Sequence, residues 1–385
     1  MLPENWMFDY ETLRVIWWVL LGLLLAGVAV MDGFDYGVAA LMPILAKNES
    51  EKRIIINTIG PVWEGNQVWL ILGAGAIFAA FPAVYALAFS GFYIAMFIVL
   101  CSLILRPVSF KFRQKAEHKQ WKQAWDTGIF LSGLVPSLVF GVAVGNVMQG
   151  VPFHYDEIMR LFYDGSFWQL FNPFALLCGV ISLTMLVMHG AVYLTVKADE
   201  SLIARAKAVA LYAAMLLIAL YAGAGIWAAY GINGYHITSE LITGGVSNPT
   251  NKTVEIISGG LLQNYSAHKF FMIVPLLFIT GSLALIILLK LFRYGTAFIA
   301  SGLTVAAIVF TAGVSTFPFL IPSSTAPGSS LTIWDASSSR NTLFIMLIAV
   351  VIFLPVILAY TSWVYKILRG RVTQAYIKQN SKGVY

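Results

Sequence analysis

Long apolar stretches alternate with short polar connections along the chain. An α-helix needs about 20 predominantly apolar residues to cross the hydrocarbon core of a bilayer. Runs that meet this requirement lie near 13–45, 55–80, 83–105, 127–149, 169–196, 203–230, 270–289, 295–317 and 342–365, so the pattern predicts nine transmembrane helices. The second and third runs are divided only by a turn at Phe81-Pro82. The first half of the second run is the most polar, with Pro61, Glu64, Asn66 and Gln67. Two longer connections, 231–269 and 318–341, are rich in Gly, Ser, Thr, Asn and Pro and read as ordered or semi-ordered loops. No soluble domain or low-complexity tail interrupts the pattern, and 1–385 reads as a single polytopic membrane domain.

Composition agrees with an all-α integral membrane protein. Hydrophobic residues make up 59% and charged residues 11%, against about 25% charged in a soluble domain. That balance excludes a soluble globular enzyme, a disordered chain and a nucleic-acid-binding protein. The net charge of +6, from 24 basic and 18 acidic residues, is informative through where the basic residues lie. Only Arg14, Arg160, Lys252, Lys269 and Arg340 fall on one side of the predicted membrane. The other 19 of the 24 fall in the connections after the first, third, fifth and seventh spans and in the C-terminal tail. Basic residues collect in cytoplasmic loops, so the N-terminus is predicted outside and the C-terminus in the cytoplasm. The N-terminal MLPENWMFDYETLR is acidic where a signal peptide is basic, and no cleavage pattern follows, so the first run reads as a retained helix. Trp6, Trp17, Trp18, Trp168, Trp227 and Trp334 lie near span ends and read as an aromatic belt. Cys101 and Cys178 lie inside apolar runs and read as buried small hydrophobes, neither disulfide nor metal ligands.

Ionisable residues inside a membrane are costly, and each is a functional candidate. Here they are Asp32 and Asp35 in MDGFDYG, Glu64 in PVWEGNQVW, Arg106 at the end of the third span in LILRPVSF, and His189 in LVMHGA. Asp35 precedes Lys47 by 12 residues and Glu64 follows Lys52 by 12. At ~1.5 Å per residue each lies roughly 18 Å from its basic loop, at a matching depth. Asp32 lies one turn from Asp35 on the same helix face. A buried carboxyl has a raised pKa and takes up a proton near neutral pH, so a ladder of acids suits proton uptake. The structural alternative is that Asp32 and Asp35 cap a kink at Gly33 or pair with Arg106. Asn66 and Gln67 beside Glu64 suggest a wet polar pocket. For His189, haem ligation with Met185 or Met188 nearby stands against a hydrogen-bonded packing role. No Gly-rich phosphate loop, His-Glu-x-x-His or Cys-x-x-Cys motif is present. GAGAIF at 73–78 and GAGIW at 223–227 lie within helices and read as close helix packing.

These residues carry a resemblance. YETLRVIWWVLLG at 10–22, DGFDYGV at 32–38, INTIGPVWEGNQVWLI at 56–71, FSGFYIAMFIVLCSLILRPVSF at 89–110, GNVMQGVPF at 145–153, FTAGVSTFPFLIPSST at 310–325 and SLTIWDASSS at 330–339 look like subunit II of cytochrome bd ubiquinol oxidase. The resemblance runs from about residue 8 to the C-terminus. It implies nine helices, as two four-helix bundles plus one peripheral helix, docked on a homologous subunit I in the bacterial inner membrane. Such a complex oxidises quinol at the outer side, reduces oxygen to water and takes protons from the cytoplasm. Haem b558, haem b595 and haem d belong to subunit I, and subunit II carries none. Carried over by motif, Asp35 and Glu64 line a proton route with Arg106 near its entry, and Asp32 belongs to the same ladder. Many members have Asp where Glu64 stands. Trp69 is a candidate for an oxygen route, with plain packing as the alternative. A structural quinone and single-helix accessory subunits are compatible with the resemblance, without assigned residues. A secondary transporter is the competing class, but it should show broken helices in both halves. Here the acids cluster in the first two spans.

Overall fold

The computed structural model describes residues 8–380, so Trp6 lies outside the described residues. The architecture is mostly helical. The helices are α1 Tyr10–Met31, α2 Gly33–Leu45, α3 Glu49–Ile59, α4 Trp63–Ala80, α5 Pro82–Gly91, α6 Tyr93–Phe112 and α7 Lys119–Gln149. They continue with α8 Pro173–Lys197, α9 Glu200–Tyr230, α10 Gln263–Ala267, α11 Ile273–Lys290, α12 Tyr294–Thr316, α13 Arg340–Ile367 and α14 Gln374–Gln379. Among the described residues eight helices are long and apolar enough to cross a membrane, with α1 and α2 counted together. The pair α4 and α5, bent by 120° at Phe81, raises the count to nine if taken as one span.

Local sequence accounts for the boundaries. Asp9 caps α1 by accepting from the Thr12 amide at 3.0 Å. Asn172 caps α8 ahead of Pro173 at its first position, and Asp199 and Ser339 cap α9 and α13. Side-chain oxygens at these positions satisfy amides that the first turn leaves free.

Three expectations change. The predicted 55–80 helix is two elements, because α3 ends at Ile59 and α4 begins only at Trp63, after a turn holding Gly60 and Pro61. The predicted 83–105 helix is likewise split at Phe92, and its membrane-length portion is α6. Gly91, at that split, lies against the ring of Tyr163. Arg106 does not close a helix, since α6 continues through Pro107 to Phe112.

Glycines draw the helices together. A Cβ on Gly37 would collide with the Leu186 carbonyl of α8, and one on Gly133 of α7 with the Tyr36 carbonyl of α2. Thus α2 is clamped between α7 and α8, and every residue from Gly33 to Met42 is buried. Small residues permit this approach where lipid offers helices no hydrophobic drive to associate. By contrast α13 buries only Leu343 among its residues.

The connections sort to two ends. At one end lie three small antiparallel pairs, β1 Phe153–Tyr155 with β2 Leu161–Tyr163, β3 Asn233–Ile237 with β4 Val254–Ser258, and β5 Phe319–Ile321 with β6 Leu331–Thr332. They are knitted by a bridge from Val151 to Ser323 and by the Tyr235 hydroxyl donating to the Gln149 carbonyl at 2.9 Å. Fully buried Arg14 ties α1 to this end by donating to Ser337 Oγ at 2.8 Å and to the carbonyls of Thr243 and Gly245. Lys252 and Asp335, 2.7 Å apart, join the two long connections. At the other end Arg113 meets Glu49 at 2.7 Å and Asp126 at 2.6 Å, Arg205 meets Glu51 at 2.6 Å, and Val372 bridges to Ala198.

Two residue readings are corrected by burial. Trp17 is no belt residue: it is 2% exposed, and its indole donates to the Leu343 carbonyl at 2.9 Å. Cys101 is exposed on α6 and Cys178 half-buried, so neither is a fully buried hydrophobe. Cys101 shares its outward face with exposed Phe97 and Ile104.

Candidate functional site

The buried polar residues of α2, α4 and α6 converge at the junction of α1 and α2. Asp32 is the hinge residue: it follows the last residue of α1 and precedes the first of α2. Its carboxylate faces Arg106 of α6, with Nη1 donating to Oδ1 at 3.0 Å and both side chains fully buried. The Tyr36 hydroxyl donates to the other carboxylate oxygen. The guanidinium also lies over the Tyr36 ring, 4.5 Å from its centroid. Asp32, Tyr36 and Arg106 therefore form one closed triad. The ion pair expected of Asp32 as a structural residue is present, while its side chain makes no capping hydrogen bond at the start of α2.

Asp35 is fully buried and belongs to a second chain of hydrogen bonds. The Asn66 amide of α4 donates to Asp35 Oδ2 at 2.8 Å. The Asn66 side-chain oxygen in turn accepts from the Tyr365 hydroxyl of α13 at 2.7 Å. Tyr193 of α8 closes the surroundings, donating to the Thr58 carbonyl at 2.8 Å. On the same helices, Asp35 Oδ1, Arg106 Nε and Nη2, Ser109 Oγ and Trp63 Nε1 are buried without a partner among the described residues. Buried polar atoms are nearly always satisfied, by protein or by ordered water.

Glu64 is not brought to this cluster. It stands exposed in the first turn of α4, while Asn66, two residues on, is 1% exposed and points inward. Matching it to Asp35 in depth assumed one continuous helix from Lys52, and the turn between α3 and α4 removes that basis. Sequence reasoning noticed Asn66 only as a neighbour and did not single out Tyr36 or Tyr365. The available signal was helical geometry, since residues two apart point to nearly opposite faces.

Trp69 is buried in α4, and its ring occupies the space over Gly27 of α1. It packs the seam between these helices. His189 is fully buried. Nε2 lies 3.0 Å from the Val30 carbonyl and Nδ1 2.7 Å from Ser301 Oγ. A carbonyl only accepts, so Nε2 carries the proton, while the Ser301 hydroxyl beside Nδ1 also lies 2.7 Å from the Phe298 carbonyl. The ring also stacks on Phe298 at 4.8 Å. With both nitrogens engaged, the packing reading fits and His189 does not fit an axial haem ligand. No group of three or more His, Cys, Asp or Glu capable of holding a metal ion occurs among the described residues.

A bundle of membrane spans that buries a guanidinium and two carboxylates at one helix break defines a polytopic membrane protein with charge buried between its spans. The chain matches the family cytochrome bd terminal oxidase subunit II over residues 13–368. It is 48% identical over 379 residues to cytochrome bd-I ubiquinol oxidase subunit 2 of Escherichia coli strain K12, covering 98% of this chain and 100% of that one. It is 48% identical, with the same coverage, to the probable cytochrome oxidase subunit 2 of Haemophilus influenzae. Identity to cytochrome bd ubiquinol oxidase subunit 2 of Bacillus subtilis is 32% over 366 residues, covering 94% and 97% of the two chains. The fold is similar to a chain of the bd oxidase from Geobacillus thermodenitrificans, with a TM-score of 0.69 at 19% identity, covering 93% and 98%. The chain belongs to the cytochrome bd terminal oxidase subunit II family. It is a multi-pass inner-membrane subunit of a terminal quinol oxidase, an oxidoreductase complex with a subunit I partner and haem in the assembly, and not a transporter.

Proposed function

We propose that this subunit gives the oxidase a scaffold, a proton route and an oxygen route, as one polytopic domain of nine spans with α4 and α5 counted as one. The basic end faces the cytoplasm, with the N-terminus outside. The spans form two four-helix bundles, and α13 is the peripheral helix, a reading its small buried area supports. Haem b558, haem b595 and haem d reside in subunit I, where quinol is oxidised and oxygen reduced. A structural quinone in this chain and single-helix accessory subunits on its lipid-facing flanks belong to the same reading.

The observation that carries the proton route is the set of unpartnered buried atoms on α2, α4 and α6, headed by Asp35 Oδ1 and Arg106 Nε. They are donors and acceptors that water can link into a conducting chain. In this reading Asp35 holds the proton while Asn66 and Tyr365 fix its carboxylate. Arg106 balances the charge of Asp32, and the triad with Tyr36 keeps the hinge in register. Glu64, on the outward face of α4, passes protons toward subunit I. Oxygen is apolar and follows the packed α1–α4 seam at Trp69.

The test is quinol-driven oxygen consumption by the purified two-subunit complex, with haem bands recorded alongside. Glu64→Gln and Asp35→Asn should each cut turnover at least tenfold with normal haem content. Wild-type turnover in both variants would refute the route. Trp69→Ala should change the KM for oxygen and not that for quinol.

A further inference from the structure

We propose that the turn between α11 and α12, together with Lys207 of α9, is a binding site for the phosphate headgroup of an anionic phospholipid. Lys290 ends α11 and Arg293 precedes α12. Lys207 reaches this turn from a different helix, its ammonium 3.7 Å from the centroid of the Phe292 ring. Three cations thus meet at one corner of the basic end.

Among the described residues no Asp or Glu forms an ion pair with any of the three. The sequence holds no Asp or Glu between 201 and 239 or between 256 and 334, which covers α11, α12 and all of α9 after Glu200. Four other cations of this end cross to a neighbouring element onto carboxylates: Lys52 onto Asp126, Arg113 onto Glu49, Arg205 onto Glu51 and Arg371 onto Glu200. Lys207 crosses onto an aromatic ring instead.

The corner is also an apolar wedge. Leu291 and Phe292 are 62% and 68% exposed, and Phe292 is held at a positive φ of 59°, a conformation costly for a bulky residue. Below the turn, α9 and α11 expose Tyr212, Leu216, Leu283 and Ile287, a surface for acyl chains. Cations beside apolar residues at a bilayer boundary attract anionic headgroups, and their stems lie along the chains. Free inorganic phosphate shares the headgroup chemistry but has no use for the apolar surface.

The experiment uses the delipidated two-subunit complex, with native mass spectrometry counting bound dioleoylphosphatidylglycerol. Each cation near an anionic lipid is worth roughly fivefold. The triple variant Lys207→Gln, Lys290→Gln, Arg293→Gln should therefore bind it about a hundredfold more weakly. The control triple Lys111→Gln, Lys115→Gln, Lys119→Gln should keep the affinity within a few-fold. Equal binding by wild type and the first triple, or equal loss in both triples, overturns the site. Inorganic phosphate competing as well as a short-chain phosphatidylglycerol would assign the corner to free phosphate and overturn the lipid. Should the first triple fail to assemble, Phe292→Gly keeps every charge and suits the left-handed backbone. It should weaken the lipid about threefold, and unchanged affinity there counts against the proposal.

Discussion

Asn66 is the side chain of α4 that reaches Asp35, its amide donating to Oδ2 at 2.8 Å. It also accepts from Tyr365 at 2.7 Å, so a single amide joins α2, α4 and α13. Asn66→Ala would strip a buried carboxyl of the one hydrogen bond it receives among the described residues and leave the Tyr365 hydroxyl unmet. Each orphaned group costs about 1–3 kcal/mol. The expected outcome is a lower melting temperature and a smaller yield of haem-loaded complex. Tyr365→Phe, which removes only the outer bond, should show a much milder version of both. Equal stability of Asn66→Ala and wild type, by intrinsic-fluorescence melting, would contradict this role.

The Asp32–Arg106 pair is fully buried on both sides, which makes its two halves interdependent. Breaking a buried pair from one side costs about 3–5 kcal/mol, because the remaining charge is stranded. Arg106→Leu and Asp32→Asn should each abolish accumulation of assembled complex. The double variant should recover part of it, since no charge is then left alone. Haem content per membrane protein measures all three, and a double variant worse than either single would sink the argument.

Hydropathy reveals spans because a bilayer demands long apolar runs, and the segments from α7 to α13 follow the sequence closely for that reason. It hides breaks where both flanks are apolar. Ile54–Ile59 continues the hydrophobic pattern up to Pro61, so α3 reads as the start of a span although it is a separate helix packed on α2 and α8. Asp32, Asp35 and Arg106 were legible because charge in an apolar run is rare. Asn66 and Tyr365 were not, since neutral polar residues are common in spans and only the three-dimensional partner gives them a role. The exposure of Glu64 and Cys101 depends on helix rotation: in α4 Glu64, Asn66 and Gln67 are too close together to mark one polar face, and around Cys101 the residues from Tyr93 to Leu100 are apolar or aromatic on every side.

Glycine substitutions should rank by what the new methyl group meets. At Gly37 it would run into the Leu186 backbone carbonyl, which cannot move without separating α2 from α8. At Gly27 it would meet the Trp69 ring, a side chain able to shift. At Gly75 nothing lies within 4 Å. Gly37→Ala should therefore prevent assembly, Gly27→Ala should cost about 1–3 kcal/mol through overpacking, and Gly75→Ala should be neutral within this chain. Melting temperatures of the assembled complexes check the order, and a reversal of Gly37 and Gly27 would refute it.

Acid sensitivity should arise at the basic end through Glu51. Its Oε1 accepts from Arg205 Nη2 at 2.6 Å and its Oε2 from the Lys47 amide at 2.7 Å. The hydrogen bond from Arg205 holds its pKa below the ordinary glutamate value, against the opposing effect of burial, with the Lys47 amide and the charges of Arg205 and Lys47 acting in the same direction. The folded protein therefore binds fewer protons here than the unfolded chain near the glutamate range. The stabilisation is fully present above the unfolded pKa and is lost as pH falls through the folded one. Hydrogen bonds to charged groups contribute about 1.5–3 kcal/mol, so Glu51→Gln should lower the melting temperature at neutral pH. Between about pH 5 and 3, from just above the ordinary glutamate value to below it, its melting temperature should fall less steeply than that of wild type. Parallel curves for the two proteins over that window would show that Glu51 is not the responsible group.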